Sequence, residues 1–425
     1  MPNADDSLLW GATLNAHAVE GRDFDSDWWR FEQRPGRIAG GATSEVAADH
    51  LNRARDDIAL AHKLGLSVLQ YSLSWARVAP APDRIDESVL AHYRDVFQTM
   101  GRQGVTPVAV LQEQSLPAWF ADAGAWANPA AGDWFQGYLE RVFEALSPHC
   151  RHWGPIHDPA LWRRMAYGDC RWPRPAGARR FTRKAAAQLR AVHLRARNFL
   201  REQGGAHQLG ISIAAPALEP LDPHSPWDLR ATRWQQWARE REYADALAAD
   251  LGSAPPFDFV ALSLPGRRSV FASPTRPASR FARYAGPDGR AAFPDEGLPA
   301  PDALPGALDR AGHWNVPILV TCGIATEDDA ERCAFIADHA TAVLEARARG
   351  HRILGYCHRS LLDGFEGCHG YRRRYGLVHV DRETLARTPN PSAFLLNDIA
   401  KHGTLRPGAI ARYCPGWNAP GREAS

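Results

Sequence analysis

In the stretch PILVTCGIATEDDAERCAF, residues 317–335, a thiol stands where a strand hands over to a helix. Pro317–Val320 has the apolar run of a short buried strand, and an amphipathic helix begins at Asp328. Between them lies Cys322, which becomes a nucleophile if an imidazole or a positive charge lowers its pKa. Residues of similar capacity close the other apolar runs: Asn15 and His17, Gln70 and Trp75, Glu113 and Gln114, His157 and Asp158, Ser263, and His358 with Arg359. Glu366 follows shortly after. A carboxyl group beside an imidazole can do general acid–base work, which makes Asp158 and Glu113 candidates alongside Cys322. His17, Glu113, His157 and Cys322 are also metal-ligand types; two imidazoles with a carboxylate or thiolate suit Zn²⁺ with an open position. They form no local spacing motif, so that chemistry depends wholly on the fold bringing them together.

The elements that would do so recur along the chain. Apolar runs span residues 8–14, 67–75, 106–112, 152–157, 209–215, 257–264, 316–321 and 352–358. Helical periodicity fills residues 47–64, 88–103, 134–146, 183–203, 243–251 and 328–348. Eight strands alternating with helices predict an α/β fold, a (β/α)8 TIM barrel with enlarged βα loops at residues 159–182 and 265–300. No glycine-rich phosphate loop follows the first strand, which argues against a doubly wound sheet. In such a barrel the strand ends named above share one mouth. A single barrel over residues 1–415 and a tail over 416–425 is the expected organisation.

Composition bounds the function. The chain has 425 residues and 45% hydrophobic content, enough for a large core. A formal net charge of +2 is too balanced for a general nucleic-acid binder. Of the 50 Lys and Arg residues only Lys63, Lys184 and Lys401 are lysines, so individual arginines carry less weight. The seven cysteines lack a CxxC pair and read as reduced thiols. No apolar run approaches the roughly 18 residues that span a membrane, and no signal peptide is evident at the N-terminus. A cytoplasmic location and no membrane partner are expected.

Much of the chain resembles glycoside hydrolase family 1, the β-glucosidase-like retaining enzymes. The resemblance runs from LLWGATLNAHAVEG to TPNPSAF and rests chiefly on DDIALAHKLGLSVLQYSLSWARVAP, PILVTCGIATEDDAERCAF and LDGFEGCHGYRRRYGLVHVD. It implies a single TIM barrel of the glycosidase type. It also implies a changed site. The family's acid/base motif Thr-Phe-Asn-Glu-Pro reads PIHDP here, with His157 at the Asn and Asp158 at the catalytic Glu. Its nucleophile motif Thr-Glu-Asn-Gly reads TCG, one residue shorter, with Cys322 at or beside the lost Glu. His17 and Ala18 stand at the family's Tyr-Gln, Gln70 at an Arg, Glu113 and Gln114 at a His-Trp, Ser263 and Leu264 at an Asn-Tyr, and Arg359 and Gly367 at tryptophans. Glu366 keeps the family's ligand to the sugar's outer hydroxyls.

A retaining glycosidase needs two carboxyls roughly 5 Å apart, and the nucleophile's place holds none. The replacements are mostly polar or titratable, as in a pocket put to new use. The expected protein acts on a sugar-like small molecule with changed chemistry. Its catalytic candidates are Asp158, Cys322 and Glu113. Its ligand-binding candidates are His17, Gln70, Gln114, His157, Ser263, His358, Arg359 and Glu366. No cofactor is expected, and a divalent metal is the exception to be tested. A non-catalytic carbohydrate-binding protein and a metal-dependent enzyme are the alternatives. Arg163, Arg164, Arg171, Arg174, Arg179, Arg180, Arg267 and Arg268 in the long loops would suit an anionic ligand.

Overall fold

A computed structural model of the chain describes residues 7–168, 172–173, 182–252, 256–273, 282–285, 291–292 and 297–417. All eight apolar runs are strands: β1 Leu9–Leu14, β2 Val68–Ser72, β3 Thr106–Gln112, β4 His152–Ile156, β5 Gln208–Ala214, β6 Phe259–Ser263, β7 Ile318–Cys322 and β8 Ile353–His358. Each pairs in parallel with its sequence neighbours, and β8 returns to β1 to close the barrel. Strands covered on both faces read as continuous apolar runs, because neither face meets water; every residue of β2 and β7 is buried. Val68, Val108, Phe259, Leu319 and Cys357, one from each of five strands, form a compact apolar cluster of their own.

The six periodic segments are helical, at His50–Lys63, Glu87–Arg102, Ala131–Leu146, Thr182–Glu202, Glu242–Leu251 and Asp329–Ala348. A further helix, Pro226–Glu240, was not legible from periodicity. It packs on a small sheet built from the loops after β5 and β6, in the order Ala291–Ala292, Ala282–Ala285, Arg267–Ala272 and Ala217–Pro220. The enlarged loops therefore carry structure of their own.

Trp75, expected at the mouth, is instead fully buried, stacked on Tyr138 and packed against Phe120, Trp126 and Phe135. At the C-terminal end Trp417 donates its indole N–H to Asp338 at 2.8 Å, and residues 418–425 lie outside the described part. Among the described residues no helix is long and apolar enough to cross a membrane. Six cysteines are among the described residues, and no disulfide joins any two of them.

Candidate functional site

A cavity of about 380 Å³ opens at the carboxyl ends of the strands. It gathers Gln70, Glu113, Gln114, His157 and Asp158 from β2 to β4, and Ser263, Cys322, Arg359 and Glu366 from β6 to β8. Nine of the eleven candidates thus share one chamber, large enough for a small molecule.

His157 is held between two polar neighbours. Its Nδ1 lies 3.2 Å from the Ser212 hydroxyl, and its Nε2 is 4.0 Å from Glu113 Oε1. Both His157 and Glu113 are partly exposed to the cavity. Ser212, on β5, was not among the expected residues; it fixes the ring from behind.

Asp158 is more constrained. It sits in the left-handed region at φ 37° and caps the helix Pro159–Arg163, accepting from Leu161 N at 3.0 Å. Its other oxygen accepts from Arg239 at 3.4 Å. A left-handed turn for a residue other than glycine is uncommon and often marks a functional position.

Cys322 ends β7 with its sulfur accepting a hydrogen bond from Leu264 N at 3.3 Å. Burial pushes the thiol up to about 12, and the Leu264 amide offsets only part of this. Among the described residues no imidazole hydrogen-bonds the sulfur; His157 Nδ1 turns to Ser212 instead. Gly323 of the TCG segment has a packing reason, since a Cβ there would stand 2.0 Å from Arg359 O. Arg359 N in turn donates to Cys322 O at 2.9 Å.

Glu366 accepts from Arg359 at 2.5 Å, and that guanidinium lies 4.4 Å from the centre of the Tyr375 ring. Gln70 lines the cavity with a buried Oε1 that has no partner among the described residues. Such an acceptor suits a ligand hydroxyl.

Two expected ligand-binding residues do not line the chamber. His17 is fully buried, Nδ1 at 2.9 Å from Asp23 and Nε2 at 2.8 Å from Glu32. Burial lowers its pKa, but the two carboxylates outweigh it and raise it to about 9. The ring is thus a buried cation that holds carboxylates and has no nitrogen left for a ligand. His358 is also buried, 3.1 Å from the Tyr356 hydroxyl, and burial followed by the nearby Arg332 drops it to about 3. Asn15 caps the short helix Ala16–Val19. The metal set named from sequence is therefore split: among the described residues, no three His, Cys, Asp or Glu side chains are placed to hold an ion.

The loop arginines also separate. Arg163 pairs with Glu242, and the half-buried Arg267 with Glu219 and Asp302. Arg164 reaches Gln235 and Tyr284, while Arg268 is buried and lines the cavity. Arg171, Arg174, Arg179 and Arg180 lie outside the described residues. Arg239, Trp172 and Tyr375 line the chamber without having been singled out. All three come from loops or loop helices, where no strand-end rule points to them.

The closed parallel barrel and its polar chamber define a (β/α)8 protein with its ligand site at the carboxyl mouth. Sequence comparison gives the family: the model of Glycosyl hydrolase family 1 matches residues 3–256 and 319–404, and the chain belongs to that family. The chain is 26% identical to Beta-glucosidase A of Thermotoga maritima, over 94% of this chain and 98% of that protein. It is 28% identical to Thermostable beta-glucosidase B of Thermobispora bispora, over 95% and 92%. Among solved structures it is similar to the beta-glycosidase from Pyrococcus horikoshii, with a TM-score of 0.86, 25% identity and coverage of 96% and 97%.

Proposed function

We propose that this family 1 protein takes a sugar or sugar-related small molecule at the barrel mouth and acts on it by chemistry other than retaining double displacement. One observation carries the reading: the end of β7 presents a buried, neutral thiol where the resemblance implies the nucleophilic carboxylate. No glycosyl–enzyme ester can form on a thiol that stays protonated, and family membership alone does not supply the missing group. Relatives are described as β-glucosidases, and one solved T. maritima structure holds deoxynojirimycin, so a sugar-shaped ligand is the reasonable class.

The groups left to move protons are Glu113 and His157. At 4.0 Å they are just beyond direct hydrogen bonding, leaving room for a hydroxyl or a water to bridge them. Ser212 holds the imidazole, so Nε2 faces Glu113 and can give or take a proton there. Gln70 offers its carbonyl to a hydroxyl, Glu366 with Arg359 orients the far end of the ligand, and Trp172 supplies an apolar wall. Asp158 serves to position Arg239 and the helix behind it.

Binding without turnover is the second reading. It is favoured by the engagement of two of the three catalytic candidates, Asp158 by Leu161 and Arg239, and Cys322 by Leu264.

Assays with aryl β-glucosides should give release near background, while calorimetry detects binding of a sugar-like ligand that Gln70→Ala weakens about tenfold, roughly 1.4 kcal/mol. If a substrate is turned over, Glu113→Gln should lower kcat by 10²–10⁴-fold, on the order of what a general acid–base supplies. Robust hydrolysis with retained anomeric configuration would overturn the proposal.

A further inference from the structure

Resting on the sugar-like reading of the pocket, we infer that its wall beneath the β5 and β6 loops is a subsite for an oxyanion carried by the ligand, a carboxylate or a phosphate ester, gripped by Arg239 with Arg268 beside it.

The starting observation is the helix Pro226–Glu240, whose pattern is inverted. Its buried residues include Asp228, Thr232, Gln235, Arg239 and Glu240, while Trp227 is 70% and Trp237 41% exposed. Polar side chains are buried only where something matches them. Asp228 is matched: it accepts from Ala272 N and Asp222 N at 2.9 and 3.2 Å. Glu240 is matched by Arg310 at 2.8 and 2.9 Å. Gln235 accepts from Arg164 and from the Tyr284 hydroxyl.

Arg239 is the exception. It is 5% exposed and lines the chamber, yet its Nε and one terminal nitrogen are buried with no acceptor among the described residues. Among the described residues its single carboxylate contact is the 3.4 Å approach to Asp158 Oδ2, and the other oxygen of Asp158 is spent on Leu161. A buried guanidinium held by one long carboxylate contact remains costly unless a ligand completes it. Arg268, 3% exposed, lines the same wall and lies 5.4 Å from the centre of the Tyr284 ring; Arg164 lies 4.6 Å from it on a neighbouring turn.

The other carboxylates of the chamber, among the described residues, do not complete Arg239. Glu366 is held by Arg359, and Glu113 sits beside His157. Positive charge is felt at Tyr284, where burial raises the phenol's pKa but Arg164, Arg239 and Arg268 together bring it below the usual tyrosine value. A buried guanidinium whose Nε and one terminal nitrogen lack acceptors, in a wall that also holds Arg268, is matched by a carboxylate or phosphate, whose oxygens accept charge-assisted hydrogen bonds.

The full chain is titrated by calorimetry at constant ionic strength with glucose, glucuronate, glucose 6-phosphate and inorganic phosphate. At least one charged sugar should bind tenfold or more tightly than glucose, and the better of the carboxylate and the phosphate ester names the source of the oxyanion. Arg239→Gln should bring charged and neutral sugars to within about twofold of each other. Arg268→Gln should lose part of the preference and gives a second route should the Arg239 variant fail to fold. Arg267→Gln, which alters a neighbouring charge paired with Glu219 and Asp302 outside the chamber's lining, should keep the preference intact. Phosphate binding that depends on Arg239, with no sugar binding, would keep the subsite and overturn the sugar reading. Equal binding of charged and neutral sugars would keep the sugar reading and overturn the subsite, as would a charge preference that survives Arg239→Gln. No binding of any of the four probes overturns it too.

Discussion

A thiol's chemistry is set by its surroundings, and at Cys322 they oppose ionisation. With the pKa pushed up to about 12 by burial, on the order of one molecule in ten thousand carries the thiolate at pH 8. Alkylation needs the thiolate and a path for the reagent. Folded protein treated with iodoacetamide at pH 8 should therefore leave Cys322 unmodified, while the half-buried Cys368 is labelled, as peptide mapping would show. Cys322→Ala should preserve ligand affinity and cost about 1 kcal/mol, since Leu264 N loses its acceptor. Rapid labelling of Cys322, blocked by ligand, would return it to the role of nucleophile. Strand-end position pointed Cys322 to the mouth of the barrel, and the structure brings nine of the eleven candidates into one chamber. Strand-end position could not reveal that His17 spends both nitrogens on Asp23 and Glu32, because those partners lie on segments whose approach is a matter of tertiary structure.

At the scale of elements, the eight strands were legible because barrel strands are apolar on both faces and short, and the outer helices because one face is apolar. The helix Pro226–Glu240 was not, because its polar side chains face inward and two of its tryptophans face out. The start signal was present, Ser225 as cap with Pro226 in the first turn, but the period that should follow it is reversed. Asp228 is what fastens this helix to the strand Arg267–Ala272, through Ala272 N at 2.9 Å. Removing that carboxylate leaves a backbone N–H buried without its acceptor, a cost of about 1–3 kcal/mol. Asp228→Ala should therefore raise amide exchange across Arg267–Ala272 and lower the ligand-binding contribution of Arg239 and Arg268. Exchange in β1 and β2 should stay as it was. Uniformly faster exchange over the whole barrel would mean that the helix is part of the global folding unit, contrary to this view.

For the molecule as a whole, the buried charge cluster around His17 joins the ends of β1, β2 and β3. Asp23 accepts from Ser74 at 2.5 Å and from Ser115 at 3.1 Å as well as from His17, and Glu32 also takes the Ser44 amide at 2.7 Å. Stability should follow the cluster's protons. His17 is raised from 6.5 to about 9, so the folded state holds its proton more tightly. That contribution is complete below 6.5 and is lost as pH rises through 9. Asp27, which burial lifts from 3.8 to about 7, acts in the same direction at lower pH: its contribution fades between those values. Asp23 works in the opposite sense, because although burial raises it, His17 holds it below 3.8, so its share is lost only as pH falls below that value. The unfolding midpoint should thus decline by a few degrees between pH 6.5 and 9, the interval over which His17 gives up its proton. His17→Gln removes the cation and leaves Asp23 and Glu32 buried together, a loss of about 3–5 kcal/mol by the usual cost of breaking a buried pair. It should also flatten the decline over that interval, and this second effect separates proton linkage from simple loss of packing. A His17→Gln variant that is destabilised by the same amount at every pH from 6.5 to 9 would show that His17 does not titrate in the folded protein, and that the cluster is held by hydrogen bonds alone.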